Sequence, residues 1–169
     1  MEPLTDDRTN RMSHDHVQVA VEGSTTSGVE HVPAHNLGDH TWLLLRSPLY
    51  ALQLAAGDTI RITNETTGEF EFIARGGNVA VHFYLAERDL NDLQATASVA
   101  RKIAPEIKAL GGCMDAQTAG LIVYTIPIVA GFPAIEKLFE TAIDEFPGAQ
   151  WQYTNVFDQK TGEPLLWWE

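Results

Sequence analysis

The residues GGNVAVHFYLA, 76–86, separate two parts of the chain with different architecture, because the spacing of apolar residues changes on either side of them. From residue 79 to residue 85 every second side chain is large and apolar, which is the period of a β-strand that buries one face. His82 falls between these positions, and we expect it on the opposite, polar face of the sheet. The Gly76-Gly77 pair marks a boundary between an all-β part and a mixed part of the chain.

The mixed part, residues 77–169, is predicted to form a ferredoxin-like sandwich. After the first strand, the apolar spacing predicts a helix, a strand, a helix and a strand, at residues 90–110, 121–126, 133–146 and 150–157. This order is typical of helices packed on one face of a sheet, with the very apolar strand at 121–126 in a central position. Pro105 inside the first helix predicts a break or kink that gives two helical pieces.

The part before the boundary, residues 16–76, is predicted to be a small antiparallel β-barrel or a curled sheet. Turn formers separate short runs of alternating apolar residues, which begin at His16 and continue at 29–34, 41–46, 59–64 and 69–75. Residues 49–55 predict a short helical or irregular connection. Residues 1–15 are polar and predict a disordered tail. We expect the two parts that follow the tail to pack as one globular α+β unit.

The composition excludes several classes of function. The 169 residues include 23 acidic and 11 basic side chains, a formal net charge of −12, and one cysteine. This balance argues against a nucleic-acid partner, because phosphate binding needs clustered Lys and Arg. One cysteine excludes an internal disulfide framework and a Cys-based zinc site. The apolar runs are far shorter than the roughly 20 residues of a membrane span, and the N-terminus lacks the apolar region of a secretory signal. We therefore expect a cytoplasmic protein.

A second pattern is centred on PLYALQLAAGD, residues 48–58. It is accompanied by further blocks: Trp42-Leu43-Leu44, Gly68 with Phe70 and Phe72, residues 78–85, Leu110-Gly111-Gly112-Cys113 and Trp151-Gln152-Tyr153. Over residues 29–157 the chain thereby resembles the bacterial family called domain of unknown function 4265, with Leu49 where the family often has an aromatic residue. The family brings no established activity, so the resemblance implies an architecture rather than a function.

The sequence lacks the patterns of common catalytic and cofactor sites. Cys113 follows a Gly-Gly pair at a predicted helix C-terminus, where the helix dipole disfavours a thiolate, so we expect a buried or inert thiol. His31, His35 and His40 are close in sequence, but no spaced ligand motif accompanies them, and we expect no metal. Nucleophile-elbow and phosphate-binding glycine motifs are also missing. We therefore expect no catalytic residues, no cofactor and no enzymatic activity.

The second predicted helix carries an acidic face, because Glu136, Glu140 and Asp144 recur every four residues. Such a face is either a solvated surface or an electrostatic docking surface for a basic partner. The C-terminal pair Trp167-Trp168 forms a contact site if exposed and staples the C-terminus if buried. Our leading hypothesis is a non-catalytic bacterial protein that binds another, basic protein through these residues. Its most concrete form is an immunity protein that neutralises a cognate toxin.

A second hypothesis is a small-molecule-binding regulatory module. A pocket between the two parts of the chain, near Tyr50, Asp58 and Arg75, would hold its unknown ligand. Asp58 follows Gly57 at the start of a predicted strand, where its carboxylate could instead bond backbone amides of the turn. Tyr50 and Trp42 could instead pack in the core. An enzyme is the third hypothesis.

Overall fold

The computed structural model describes residues 15–21 and 28–169, which form two antiparallel β-sheets and two α-helices. The first sheet is complete before the second begins, and both helices lie between strands of the second sheet. The predicted α+β class is confirmed. Residues 1–14 of the predicted tail and the turn predicted around residues 24–27 lie outside the described residues. Asp15, assigned to the tail by the prediction, begins the first strand.

The first sheet has the strand order β1-β2-β3-β4-β5, with every neighbouring pair antiparallel. Its strands are β1 (Asp15–Val21), β2 (Gly28–Gly38), β3 (Thr41–Leu44), β4 (Thr59–Asn64) and β5 (Glu69–Ala74). Alternate residues point inward, as the period of two predicts. They bury one apolar cluster: Val17, Val19, Val32, Ala34, Leu44, Ala51, Leu54, Ile60 and Ile62.

This sheet curls so that β1 approaches the turn between β4 and β5. The Ala20 N–H donates to the Gly68 carbonyl at 2.9 Å. A Cβ on Gly68 would lie 2.8 Å from the Ala20 nitrogen, so the approach requires glycine. Among the described strands no ladder joins β1 to β5. The barrel alternative is therefore wrong, because the first and last strands meet at one end only, and the curled-sheet alternative describes the structure.

The second sheet has the order β7-β8-β6-β9, and its neighbouring strands are also antiparallel. Its strands are β6 (Asn78–Tyr84), β7 (Cys113–Thr118), β8 (Leu121–Pro127) and β9 (Gln150–Tyr153). The central position predicted for residues 121–126 is confirmed, and all six of them are buried. The sequence analysis missed β7. Its sequence, CMDAQT, lacks apolar alternation because it lies at the edge of the sheet and is only partly covered.

Two helices cover one face of the second sheet: α1 (Leu93–Ala109) and α2 (Phe132–Glu145). The Asp92 carboxylate accepts the N–H groups of Gln94 and Ala95, which fixes the start of α1. Pro105 lies inside α1 and does not divide it, so the prediction of two helical pieces is wrong. Both Pro105 and the residue four before it, Arg101, are exposed, so solvent can reach the carbonyl that loses its partner.

The second sheet is buried on both faces. Its helix-facing side forms the larger core of the molecule, including Val79, Val81 and Phe83. The connection between β3 and β4 contacts the other face, where Pro48 lies against His82. His82 does occupy the face opposite Val81, but it is 1% exposed. The predicted position of His82 on the opposite face is therefore confirmed, and the connection covers that face at His82.

Neither helix among the described residues is both long enough and apolar enough to cross a membrane.

Candidate functional site

The acidic face predicted on the second helix exists on α2. Glu140 and Asp144 are exposed, whereas Glu136 is half-buried. The Tyr153 hydroxyl of β9 donates to the Glu136 carboxylate at 3.4 Å. Burial raises the pKa of Tyr153, and the Glu136 charge acts in the same direction, so the phenol stays protonated as a donor. The acidic face is therefore joined to β9 at Glu136.

The C-terminal Trp pair is packed and half-buried. The Trp167 indole N–H donates to the Asn155 carbonyl at 2.7 Å. Trp168 meets the ring of Phe132 edge-on, with 5.2 Å between the ring centroids. Asn155 is itself buried, and its side chain binds the backbone of β6 by accepting the Ala80 N–H. These contacts staple the C-terminal segment to the second sheet and to α2.

An open groove of about 520 Å³ lies between α2, β9 and the segment after β9. We call it the acid–aromatic groove, and its lining is Glu136, Glu140, Trp151, Gln152, Tyr153, Phe157, Asp158, Gln159 and Gly162. Three carboxylates and three aromatic rings thus face one space, and in the described part of the chain no Lys or Arg belongs to the lining. Asp144 and the Trp167-Trp168 pair do not line the groove, so the structure brings together only part of the predicted partner-binding set.

Two rings of the groove, those of Trp151 and Tyr153, are held in place by packing. Trp151 stacks on Phe139 of α2 with 5.2 Å between ring centroids, and it meets Tyr153 edge-on at 5.1 Å. Phe157 is 41% exposed. On the opposite wall, the Asp158 carboxylate accepts the N–H groups of Lys160 and Thr161, which lower the pKa of that carboxyl. The groove therefore presents two packed aromatic rings, the exposed ring of Phe157 and the Asp158 carboxyl, whose pKa is lowered.

Sequence reasoning identified two of the three acids of this groove but not its aromatic wall. The sequence YTNVFD at 153–158 reads as the continuation of a strand, and the prediction of a strand over 150–157 extended too far. In the structure β9 ends at Tyr153, and the chain turns there to place Phe157 and Asp158 beside α2. The buried side chain of Asn155, which bonds to β6, is the feature that directs this turn.

Two of the three residues of the alternative site meet where the sheets join. The Asp58 carboxylate is 1% exposed and accepts the N–H groups of Ala55 and Gly76, both at 3.0 Å. The Arg75 guanidinium lies 3.2 Å from it. Burial raises the pKa of the Asp58 carboxyl, while the two N–H groups and Arg75 oppose the rise. The predicted bonding of Asp58 to backbone amides is confirmed.

Arg75 spans the junction between the β3–β4 connection and β5. Besides Asp58, it donates to the Gln53 carbonyl at 2.6 Å. Its guanidinium lies 3.7 Å from the centroid of the Phe72 ring. Burial lowers the pKa of Arg75, and the Asp58 charge acts against this. Arg75 and Asp58 therefore neutralise each other's charge within the fold.

Tyr50 lies apart from this pair. Its side chain is 55% exposed, so the alternative expectation of core packing for Tyr50 is wrong. The Glu30 carboxylate accepts the backbone N–H groups of Leu49, Tyr50 and Ala51 at 2.6 to 2.9 Å, which holds this irregular connection against β2. Trp42, by contrast, does pack against the core of the first sheet.

A second polar network fixes the same connection to the second sheet. The Ser47 N–H donates to the Asp115 carboxylate at 2.7 Å, and the hydroxyls of Ser47 and Thr125 lie 2.5 Å apart. Thr125 in turn donates to Asp115. Cys113 donates to the same carboxylate at 3.2 Å, and burial together with Asp115 raises the pKa of the thiol to about 11. Cys113 is exposed, contrary to the expectation of burial, because it lies on the edge strand, and its thiol is protonated at neutral pH.

His82 is neutral and joins β6 to the β3–β4 connection. Burial lowers the pKa of His82. Its Nε2–H donates to the Pro48 carbonyl at 3.2 Å, which leaves Nδ1 to accept from the Tyr84 hydroxyl at 3.3 Å. The His82 imidazole therefore links β6 to the β3–β4 connection.

The histidines of β2 and its hairpin do not converge on a metal site. His40 pairs with Glu65 at 2.9 Å. Within residues 15–21 and 28–169 no three His, Cys, Asp or Glu side chains are gathered as a metal would require.

Comparison with known proteins bears on the family and the fold. A family profile described as domain of unknown function, DUF4265, matches residues 30–148. The chain belongs to the DUF4265 family. The match extends through most of the first sheet and to the end of α2. Glu136 and Glu140 of this DUF4265 protein lie inside the matched range, whereas Asp158 lies outside it.

A solved structure has a similar fold. It is described as a novel crystal structure of a hypothetical protein from Neisseria gonorrhoeae, and it is 17% identical to this DUF4265 chain with a TM-score of 0.59. The similarity covers 83% of this chain and 94% of the other. At this identity the likeness shows the fold alone. A search of curated proteins found no significant match.

Proposed function

We propose that this DUF4265 protein is a non-catalytic bacterial binding protein whose acid–aromatic groove holds a basic segment of another protein. One observation carries the proposal: Glu136, Glu140 and Asp158 share a groove with exposed aromatic surface. Among the described residues the nearby cation is Lys160, which acts on Asp158 and is not part of the lining. Anionic groups attract Lys and Arg from solution. Aromatic faces then bind the guanidinium or ammonium at close range.

The chemistry favours arginine over lysine in the partner. A planar guanidinium can stack on a ring while its N–H groups reach a carboxylate, and an ammonium cannot do both with the same geometry. The groove offers both kinds of surface side by side, with Phe157 exposed and Glu140 free of the Tyr153 hydrogen bond that Glu136 accepts. Aromatic residues held by packing are also the usual anchors of protein interfaces.

The most concrete form of this proposal is an immunity protein that neutralises a cognate toxin in the bacterial cytoplasm. Toxins that act on nucleic acids carry basic active sites, and an acidic protein can cover such a site by charge and shape. The formal net charge of −12 on 169 residues supports this form. The protonated thiol of Cys113 and the hydrogen-bonded imidazole of His82 support a role without catalysis.

We also propose that the second half of the chain is a ferredoxin-like sandwich. Its elements run β6-α1-β7-β8-α2-β9, and its strand order is β7-β8-β6-β9. Two helices on one face of a four-stranded antiparallel sheet support this description.

Affinity capture with matched variants tests the binding proposal. The tagged protein, Glu140→Lys and Asp144→Lys are each used to capture proteins from a bacterial lysate at low and high salt. Both substitutions reverse one exposed charge on α2, but only Glu140 lines the groove. The proposal expects a stoichiometric basic partner that salt releases, that Glu140→Lys loses and that Asp144→Lys retains. Equal capture by all three proteins, or no basic partner for the folded wild type, would overturn it.

A further inference from the structure

A second groove lies at the opposite edge of the second sheet, between α1 and β7. We call it the α1–β7 groove; its volume is about 570 Å³, and its lining is Ala97, Ala100, Arg101, Ala104, Ile107, Lys108, Gly112, Cys113, Met114, Gln117 and Tyr124. The strand order places β7 and β9 at the two opposite edges, so this groove is separate from the acid–aromatic groove. Its volume lies within the range of small-molecule sites in proteins.

The groove has a buried polar group without a partner. Tyr124, on the interior strand β8, is 1% exposed and belongs to the helix-facing core. Its hydroxyl has no hydrogen-bond partner in the described part of the chain. Burial raises the pKa of Tyr124, so the hydroxyl is a donor at physiological pH. Buried hydroxyls are nearly always paired, and the side chain that carries this unpaired hydroxyl is part of the groove lining, which points to a ligand with an acceptor atom.

The α1 wall of the groove is lined by small apolar side chains. Ala97, Ala100 and Ala104 recur at spacings of three and four on one face of α1, so this side of the helix offers space where longer side chains would fill it. The facing residue on β7, Met114, is 48% exposed, and its flexible thioether can adapt to an apolar body.

The rim of the groove is cationic in a protein that is strongly acidic overall. Arg101 and Lys108 line it, and no Asp or Glu among the residues that the structure describes belongs to the lining. Within residues 15–21 and 28–169 neither cation forms an ion pair. Both are exposed, so they are available to an anionic group at the mouth.

We propose that the α1–β7 groove binds a small amphipathic carboxylate that carries a neutral oxygen acceptor on its apolar body. The carboxylate pairs with Arg101 and Lys108, the apolar body lies along the alanines of α1, and the acceptor receives the Tyr124 hydroxyl. This site goes beyond the protein-binding function proposed above and does not depend on it.

The test uses two benzoates that differ at one position, where an oxygen is replaced by a CH2 group. Calorimetry compares 4-acetylbenzoate, which has a carbonyl acceptor, with the near-isosteric 4-isopropenylbenzoate, which lacks it. The purified full chain should bind the acetyl compound about tenfold more tightly, the effect of one hydrogen bond. Tyr124→Phe should bind the two compounds equally. Ala104→Leu, a change at an exposed position on the groove wall, should abolish binding of both.

Two lysines of α1, Lys108 and Lys102, supply a test variant and its matched control. Lys108→Gln should weaken 4-acetylbenzoate binding severalfold, whereas Lys102→Gln removes the same charge from a residue that lines the groove between the two helices and should leave it unchanged. The proposal is overturned if 4-acetylbenzoate shows no saturable binding up to about 5 mM. Binding that Ala104→Leu and Tyr124→Phe leave unaltered overturns it equally.

Discussion

The Arg75 guanidinium lies 3.2 Å from the Asp58 carboxylate at the junction of the two sheets, and Asp58 also accepts two backbone N–H groups there. The side chains of this pair are 18% and 1% exposed. Each therefore depends on the other for the neutralisation of a largely buried charge. This relationship fixes the β3–β4 connection, which covers the face of the second sheet opposite the helices.

Asp58→Asn should destabilise the protein by about 2–4 kcal/mol, because it leaves Arg75 without its counter-charge and replaces one carboxylate acceptor by an amide donor. Chemical denaturation measures the change. Asp89→Asn is the control, since the only ion-pair partner of Asp89 within residues 15–21 and 28–169 is the exposed Arg88, and it should cost less than about 0.5 kcal/mol. Similar losses for both variants would show that the buried pair has no special role.

The pH dependence of stability should report His82. Its folded-state pKa is lowered by burial, so below about pH 6.5 the unfolded chain binds a proton that the folded protein does not. Stability should therefore be full above that pH and decrease as the pH falls toward 5. His82→Gln should flatten this slope, whereas His35→Gln, at an exposed position of β2, should leave it unchanged. An unaltered slope in His82→Gln contradicts the assignment.

Tyr124→Phe should leave the stability of the free protein unchanged or raise it by up to about 1 kcal/mol, because the hydroxyl that it removes is buried and unpartnered in the described part of the chain. Thermal unfolding in the absence of ligand measures this. A clear loss of stability would mean that the hydroxyl is already satisfied within the protein.

Gly68→Ala should cost about 2–4 kcal/mol, because Gly68 has a φ of +74° and a Cβ there would lie 2.8 Å from the Ala20 nitrogen. Gly162 has the same φ but open space around it, so Gly162→Ala should cost only about 1 kcal/mol. Denaturation of the two variants separates the backbone strain from the contact that curls the first sheet. If both variants lose the same stability, the close approach of Gly68 to Ala20 does not require glycine.

The sequence predicted the elements whose apolar residues face a core. The strand at 78–86, the interior strand at 121–126 and the helix at 133–146 all have strong periodicity, and the structure places each within a few residues. The edge strand β7 escaped prediction because an edge needs no apolar alternation. The predicted break at Pro105 was wrong, because on an exposed helix face the free-energy cost of the lost backbone hydrogen bond is small.

The candidate sites were predicted only in part, because their residues come from distant parts of the chain. The spacing of Glu136 and Glu140 is visible in the sequence as a helical face. The position of Phe157 and Asp158 beside that face depends on where β9 ends, which is fixed by the tertiary bonds of Asn155. The burial of His82 likewise depends on a connection 34 residues earlier in the chain.

An NMR titration of the labelled full chain with the peptide Gly-Arg-Arg-Gly, at about 50 mM salt where surface charges are weakly screened, tests the acid–aromatic groove as a binding site. We expect saturable shifts confined to the Trp151 indole and the backbone amides of Glu140, Phe157 and Asp158. The shifts should weaken at high salt and in Phe157→Ala, while Asp144→Lys retains their pattern. Shifts scattered over the acidic surface, or an unchanged response in Phe157→Ala, would contradict the assignment of the acid–aromatic groove as the binding site.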